Sequence, residues 1–395
     1  MTAVREDEYL SFTMRSMVNA SLQQGKDVID FTIGNPDLPM PPSMLETLAE
    51  EIKRPDNHRY PEGESRGIRA FREAAALMYA RRYNVSLDPD LELIGLIGSK
   101  EGARYLSLAL IKPGDVVILC NPGYPTYEPC AALTGADIYF APLLEENGYI
   151  PDLAQIPEDV LLRTKLMIVN YPNNPVGAMA DVSFYTRLVE LARRYRFIVC
   201  NDNAYGELYY EDPPASILSV QGALECAVEL TSLSKTYNIC GWRIGMLAGH
   251  ADTVAKVLDL KQYTDAGMFT PFQKAAASAM LLEDDYLEWL RNVYRARRDV
   301  LVNGLREVGF SAAAPQAGMF VWAKPPYTGS SWDISRMLLD KCSIACNPGS
   351  GYGSHGEGFL RFSLCVTEER IREAISRMKQ IKDDAYVESD YLPVR

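Results

Sequence analysis

With 395 residues, 47% of them hydrophobic and 23% charged, the chain has the size and composition of a globular protein with two domains, not of a disordered or fibrous one. A formal net charge of −12 argues against a nucleic-acid partner, whose phosphates are held by clustered Lys and Arg. The opening stretch MTAVREDEYLSF lacks the apolar core of a leader, and no run of about 18 apolar residues could span a bilayer, so a cytoplasmic location with no membrane partner is expected.

In chain order, the first informative junction is IGSKE, Ile97 to Glu101, where a strand-like run meets the helical pattern GARYLSLALI. Backbone N–H groups and Ser99 at such a helix start suit a phosphate, and a simple helix cap is the competing account. The run VVILC at Val116 to Cys120 follows, and then NPGYPTY, whose Tyr124 can stack on an aromatic ligand or pack within its loop. Next comes LMIVN, Leu166 to Asn170, leading into NYPNNPVGA with Asn174. VSFYTRLVELARRYR repeats apolar residues three and four apart, as a helix covering a sheet does. FIVCND, Phe197 to Asp202, ends a buried-looking strand in an acid, with Tyr205 three residues on. This alternation predicts an α/β fold with a mainly parallel sheet. From about Glu283 a long charged helical pattern begins, followed by short strands and a closing helix near Glu368 to Lys379, which predicts a second, smaller domain.

The chemistry concentrates in TSLSKTYNICGWRIG. Ser232, Ser234 and Arg243 offer a phosphate hydroxyl donors and a bidentate guanidinium, while Lys235 offers an aldehyde an amine that burial and nearby positive charge can deprotonate. One ligand carries both groups: pyridoxal phosphate. Alone, Lys235 reads as a solvated loop lysine. Asp202 changes the balance, because a carboxylate ending a buried strand requires a partner, and a protonated pyridine nitrogen is one. Its alternative is an N-cap for a following helix. Tyr205 and Asn174 can donate hydrogen bonds to the cofactor's phenolic oxygen, and they fall at successive strand ends, where open α/β sheets bind ligands. Arg361, set among Phe359, Leu360 and Phe362, points to an anionic partner such as a substrate α-carboxylate. Gly351, Gly353 and Gly356 match GxGxxG, yet they precede a strand-like run instead of following one, so a dinucleotide site is rejected. The eight cysteines form no CxxC pair and read as reduced core residues. Cys342 and Cys346 have no histidine at zinc-finger spacing, so no metal is expected.

Together SLSKTYNICGWRIG, NYPNNPVGA, DNAYGEL, GSKEG and GEGFLRFSL resemble the fold-type I, class I and II aminotransferases over most of the chain. IGNPDLPMPP, RYPEGESRGIRAFREA and LLEENGYIPDLAQIP resemble the LL-diaminopimelate and alanine aminotransferase-like group. The resemblance implies a mainly parallel seven-stranded sheet between helices in a large domain, residues 46–283, and a smaller α+β domain from residues 1–45 and 284–395. It implies Lys235 as the Schiff-base lysine, Asp202 on the pyridine nitrogen, and Asn174 and Tyr205 on the phenolic oxygen. Ser99, Lys100, Ser232 and Arg243 would hold the phosphate, and Tyr124 would stack on the ring. Arg361 and Asn174 would take the substrate carboxylate, Gly34 would line the substrate pocket, and Tyr60 would reach in from the second subunit of a homodimer. The catalytic set is then Lys235, Asp202 and Tyr205, and the substrates are an amino acid and a 2-oxo acid exchanging an amino group by ping-pong turnover. Val176 departs from the usual Thr of NNP-x-G, and Ala266 stands where a Ser often contacts phosphate across the dimer. Two rivals keep the cofactor but not the reaction: a lyase or cyclase on the same fold, and a non-catalytic regulator. Acceptor-independent ammonia release would mark the first and a DNA mobility shift the second.

Overall fold

The structure, a computed structural model, describes residues 10–384. Most of the opening stretch read above for a leader, and residues 385–395 of the expected small domain, lie outside the described residues. The described chain begins with helix α1 (Leu10–Gln23) and builds a seven-stranded sheet from β1 (Leu93–Leu96), β2 (Val116–Asn121), β3 (Asp137–Pro142), β4 (Thr164–Val169), β5 (Ile198–Asp202), β6 (Ala227–Ser232) and β7 (Gly245–Gly249). The spatial order is β1-β7-β6-β5-β4-β2-β3. Every pairing is parallel except those of β7, which runs antiparallel to both its neighbours. The mainly parallel seven-stranded sheet is therefore present, with strand ends one or two residues from those read in the sequence.

The sheet is buried on both faces, which is why its strands read as continuous apolar runs. Val117 and Leu119 of β2 join one apolar layer with α2 (Ser99–Leu110) and the helix Ala251–Lys261, while Val116 and Ile118 join the opposite layer with α3 (Val182–Tyr195). The Asp181 carboxylate starts α3 by accepting from the Phe184 N–H at 2.7 Å, and burial of Phe184, Leu188 and Ala192 fixes its inner face. The β-α alternation fails once: between β5 and β6 the chain makes only single 3-10 turns, Ile217–Ser219 and Ala223–Glu225. Pro213 and Pro214 in that connection lack N–H donors and fix φ, which opposes a helix there. After β6 the chain makes one short helix, α4 (Leu233–Thr236), before β7.

A four-stranded antiparallel sheet of order β10-β11-β9-β8 is built from β8 (Ser311–Ala312), β9 (Phe320–Lys324), β10 (Asn347–Pro348) and β11 (Leu360–Ser363). It shares a separate apolar core with two long helices, α5 (Asp285–Glu307) and α6 (Glu368–Asp384). Leu290, Tyr294, Leu301 and Leu305 of α5, spaced at four and seven residues, face Ile371, Ile375 and Met378 of α6 in that core. Phe31 joins it from the other end of the chain, where Ile29–Asp30 pairs in parallel with Ile344–Ala345. The Asp27 carboxylate seals this junction: its oxygens accept from the Arg370 guanidinium at 2.6 and 2.8 Å and from Arg377.

Candidate active site

The carboxyl ends of the parallel strands open into one cleft of about 280 Å³, near the lower end for small-molecule sites. One end of it is formed where β1 turns into α2 and where β6 turns into α4. Ser99 and Lys100 line the cleft from the first turn of α2. Gly98 before them has φ 78°, a conformation that favours glycine, and a Cβ there would displace the Arg243 guanidinium. The Ser232 hydroxyl caps α4 by accepting from the Ser234 N–H at 3.3 Å, while the buried Ser234 hydroxyl has no hydrogen-bond partner. Arg243, in the left-handed region at φ 57°, donates to the Cys240 carbonyl at 2.9 Å and lines the same end.

Asp202 lies at the floor, 5% exposed, where β5 ends. One carboxylate oxygen accepts from the Tyr127 hydroxyl at 2.7 Å, and its main-chain carbonyl accepts from Asn170 Nδ2 at 2.6 Å. The other oxygen, Oδ1, is buried without a partner. Burial pushes the acid up to about 6, against the pull of the Tyr127 hydroxyl. Tyr124 lines the wall above, its ring edge-on to Tyr127 at 5.5 Å. Asp202 caps no helix: the next residues form turns.

Lys235 enters from α4 and donates its ammonium to the Gly34 carbonyl. Burial lowers its pKa, opposed by the Cys365 and Cys240 thiols and aided by the positive charge of Arg361 and Arg243. A Cβ on Gly34 would approach Phe320 to 2.6 Å, so that position has to be glycine for the chain to pass this close. Tyr205 is 7% exposed and meets Phe320 edge-on at 5.8 Å, and burial raises its pKa.

Arg361 sits mid-sheet on β11, opposite Trp322 and Asn347, so it is no edge-strand charge. It is 5% exposed, donates to Asn174 Oδ1 at 3.0 Å and the Thr32 carbonyl at 2.7 Å, and lies 3.8 Å over the Phe320 ring. Its Nε has no hydrogen-bond partner, and no carboxylate pairs with it among the described residues. A buried guanidinium held by neutral groups is a receptor for an anion. Asn174 is itself fixed by the Asn170 side chain, which accepts from its N–H at 2.9 Å.

The structure thus brings all but one of the residues expected to contact cofactor or substrate to one cleft. Tyr60 is the exception, 86% exposed and outside it. Val176 is buried and Ala266 exposed, both away from the cleft lining. Gly351 and Gly356 lie in two 3-10 turns before β11 and Gly353 lies between them, where a Cβ on Gly353 would collide with Asn121. No cluster able to hold a metal occurs among the described residues, and no helix among them is long and apolar enough to cross a membrane. Sequence reading missed Tyr127, Asn170, Thr32 and Phe320. Tyr127 and Asn170 stand in motifs already quoted, three residues after Tyr124 and at the end of LMIVN, whereas Thr32 contributes only its carbonyl and leaves no side-chain signal.

A sequence model of the family described as "Aminotransferase class I and II" matches residues 26–378. The LL-diaminopimelate aminotransferase of Nitratidesulfovibrio vulgaris (strain Hildenborough) is 45% identical over 360 residues, covering 91% of this chain and 92% of that protein. The enzyme of the same name from Moorella thermoacetica is 42% identical, covering 94% and 95%. Among solved structures, substrate-bound BacF from Bacillus subtilis aligns with TM-score 0.91 at 34% identity, covering 94% of each chain. A probable N-succinyldiaminopimelate aminotransferase from Thermus thermophilus aligns with TM-score 0.89 at 32% identity, covering 94% of this chain and 99% of that one. The chain belongs to the class I and II aminotransferases, and its activity is that of a transaminase.

Proposed function

We propose that the protein uses pyridoxal phosphate to move an amino group from LL-diaminopimelate to 2-oxoglutarate, with Lys235, Asp202 and Tyr205 as its catalytic groups. The observation that carries the cofactor is Asp202 Oδ1, buried and unpartnered on the floor of the cleft that Lys235 enters. A carboxylate so placed calls for a cationic donor, and a protonated pyridine nitrogen is one. The unpartnered Ser234 hydroxyl and the α2 N-terminus fit the phosphate. Bound there, the cofactor supplies an aldehyde that takes amines and a ring that withdraws electrons from the substrate Cα.

The protein's part is to bind, orient and move a proton. Arg361 and Asn174 take the α-carboxylate, which fixes the Cα–H relative to the Lys235 amine. Its lowered pKa favours the uncharged amine, the form that can accept the Cα proton and release it again later in the transfer. Asp202 keeps the ring nitrogen protonated, while Tyr205 and Asn174 steady the phenolic oxygen. Ser99, Lys100, Ser232 and Arg243 hold the phosphate, and Tyr124 covers the ring.

The substrate rests on relatives named LL-diaminopimelate aminotransferase at 45% and 42% identity. The reading includes a cytoplasmic homodimer with Tyr60 reaching the partner's cleft, and a large domain at 46–283 beside a small one from 1–45 and 284–395. The two sheets with separate apolar cores support that division. A donor panel of LL-diaminopimelate, alanine, aspartate and aromatic amino acids against 2-oxoglutarate and pyruvate tests the substrate. LL-diaminopimelate with 2-oxoglutarate should give the highest turnover; a higher rate with alanine and 2-oxoglutarate would reject the assignment.

A further inference from the structure

Glu229 lies in the middle of β6, fully buried, and does not reach the cleft. Its two carboxylate oxygens accept from five neutral donors. Oε2 takes Asn201 Nδ2 at 3.0 Å and the Ile217 N–H at 3.4 Å, while Oε1 takes the Ser216 hydroxyl at 2.9 Å and both Asn203 Nδ2 and the Tyr79 hydroxyl at 3.2 Å. Three of these donors are N–H groups, which can only donate, so the pocket suits an ionised carboxylate. Burial pushes the acid up, and the hydrogen bonds from Asn201, Asn203, Ser216 and Tyr79 pull it back down.

Asn201 and Asn203 are the residues on either side of Asp202. Side chains alternate along a strand, so Asp202 faces the cleft while both asparagines face the opposite layer, where Glu229 meets them. One carboxylate therefore bridges the two neighbours of the acid at the point where β5 ends. The grip extends in both directions. Asn201 Oδ1 accepts from the Tyr171 N–H at 3.1 Å, at the start of the segment that carries Asn174, and Asn203 leads into the turn that carries Tyr205. Gly206 in that turn leaves room for the amide, since a Cβ there would lie 2.5 Å from Asn203 Oδ1.

We propose that Glu229 is a positioning residue for the reaction: by clamping Asn201 and Asn203 it fixes the aim of the Asp202 carboxylate, and its charge strengthens the hold of that carboxylate on the cofactor's ring nitrogen. The inference rests on the assignment of Asp202 to that nitrogen under the proposed function. Burial is the main cause of the raised Asp202 pKa, and Glu229 adds to it, so the two acids act on one another across the sheet. A cation held at Asp202 is attracted by both.

The test compares wild type, Glu229→Gln, Asp202→Asn and the double variant as holoenzymes. Glu229→Gln should weaken cofactor binding ~10-fold, the range of a hydrogen bond to a charged group. In the Asp202→Asn background the same change should cost less than about twofold, because a residue that acts through Asp202 has nothing left to act on. NMR of cofactor labelled at the ring nitrogen should show that nitrogen protonated in wild type and partly deprotonated in Glu229→Gln. Leu188→Ala, which loosens the same apolar layer away from this network, should keep the wild-type signal. If Glu229→Gln does not fold, Asn203→Ala cuts one of the two links, leaves the carboxylate its other donors and carries the same comparison. Equal losses with and without Asp202, or a wild-type nitrogen signal in the variant, would overturn the role. A wild type that binds no cofactor would reject the proposed function, and crystal structures of the cofactor-free proteins then decide the clamp: the Asp202–Tyr127 hydrogen bond should be broken in Glu229→Gln, and its survival there would overturn the inference.

Discussion

At the scale of single residues, the cleft is defined by groups whose needs the chain does not meet itself. Asp202 has one oxygen satisfied by Tyr127 and one left bare; Arg361 is buried among neutral partners. Both shortfalls were legible in the sequence as charges within apolar runs, because burying an uncompensated charge is costly and calls for a partner. What the sequence hid at this scale was the support. The Tyr127 hydroxyl and the Thr32 carbonyl act through positions set by the fold, and nothing in their residue types announces it. Asp202→Asn should reduce transamination by ~10³-fold, within the range for losing a positioned acid or base, and weaken cofactor binding. In wild type, affinity should fall as pH drops below about 6, where the acid takes up a proton, and the variant should lack that component of the fall. Titration of cofactor absorbance across pH 5–8 checks both; equal profiles would contradict the role of the charge.

Among the elements, strands were easier to read than connections. VVILC, LMIVN and FIVCND were visible because a sheet buried on both faces demands unbroken apolar runs, and the α3 stripe because its period is helical. The antiparallel run of β7 was not legible, since a strand's direction is set by the loop that returns to it. Nor was the pairing of Ile29–Asp30 with Ile344–Ala345, which joins segments more than three hundred residues apart. The Asp27 clamp on α6 belongs to this junction. The Arg370 and Arg377 guanidinium groups hold the Asp27 carboxyl down to about 2. A carboxylate depressed in the folded state stabilises it above the unfolded value near 3.8, and that contribution is lost as pH falls toward about 2. Asp27→Asn should therefore melt below wild type at pH 6, with the gap closing between pH 4 and pH 2. A gap that stays constant across that range would show that the charge does not act there.

For the whole molecule, the family resemblance and the bottom-up reading converge on one cleft at the carboxyl ends of a parallel sheet. Tyr60 alone stands apart, 86% exposed, and its proposed role requires a second chain. If the enzyme is a dimer that shares its sites, mixing inactive Lys235→Ala and Tyr60→Ala proteins after mild denaturation should restore activity. Each mixed pair then holds one site with both residues intact. No recovery from mixtures that do exchange subunits would show that Tyr60 does not serve the partner's cleft.

The most direct measurement is to incubate the purified protein with pyridoxal phosphate, reduce it with borohydride and map the modified peptide by mass spectrometry. The cofactor's mass should appear on Lys235, with visible absorbance before reduction and neither signal in Lys235→Ala. A colourless wild type, or a tag on any other lysine with Lys235 unmodified, would contradict the account.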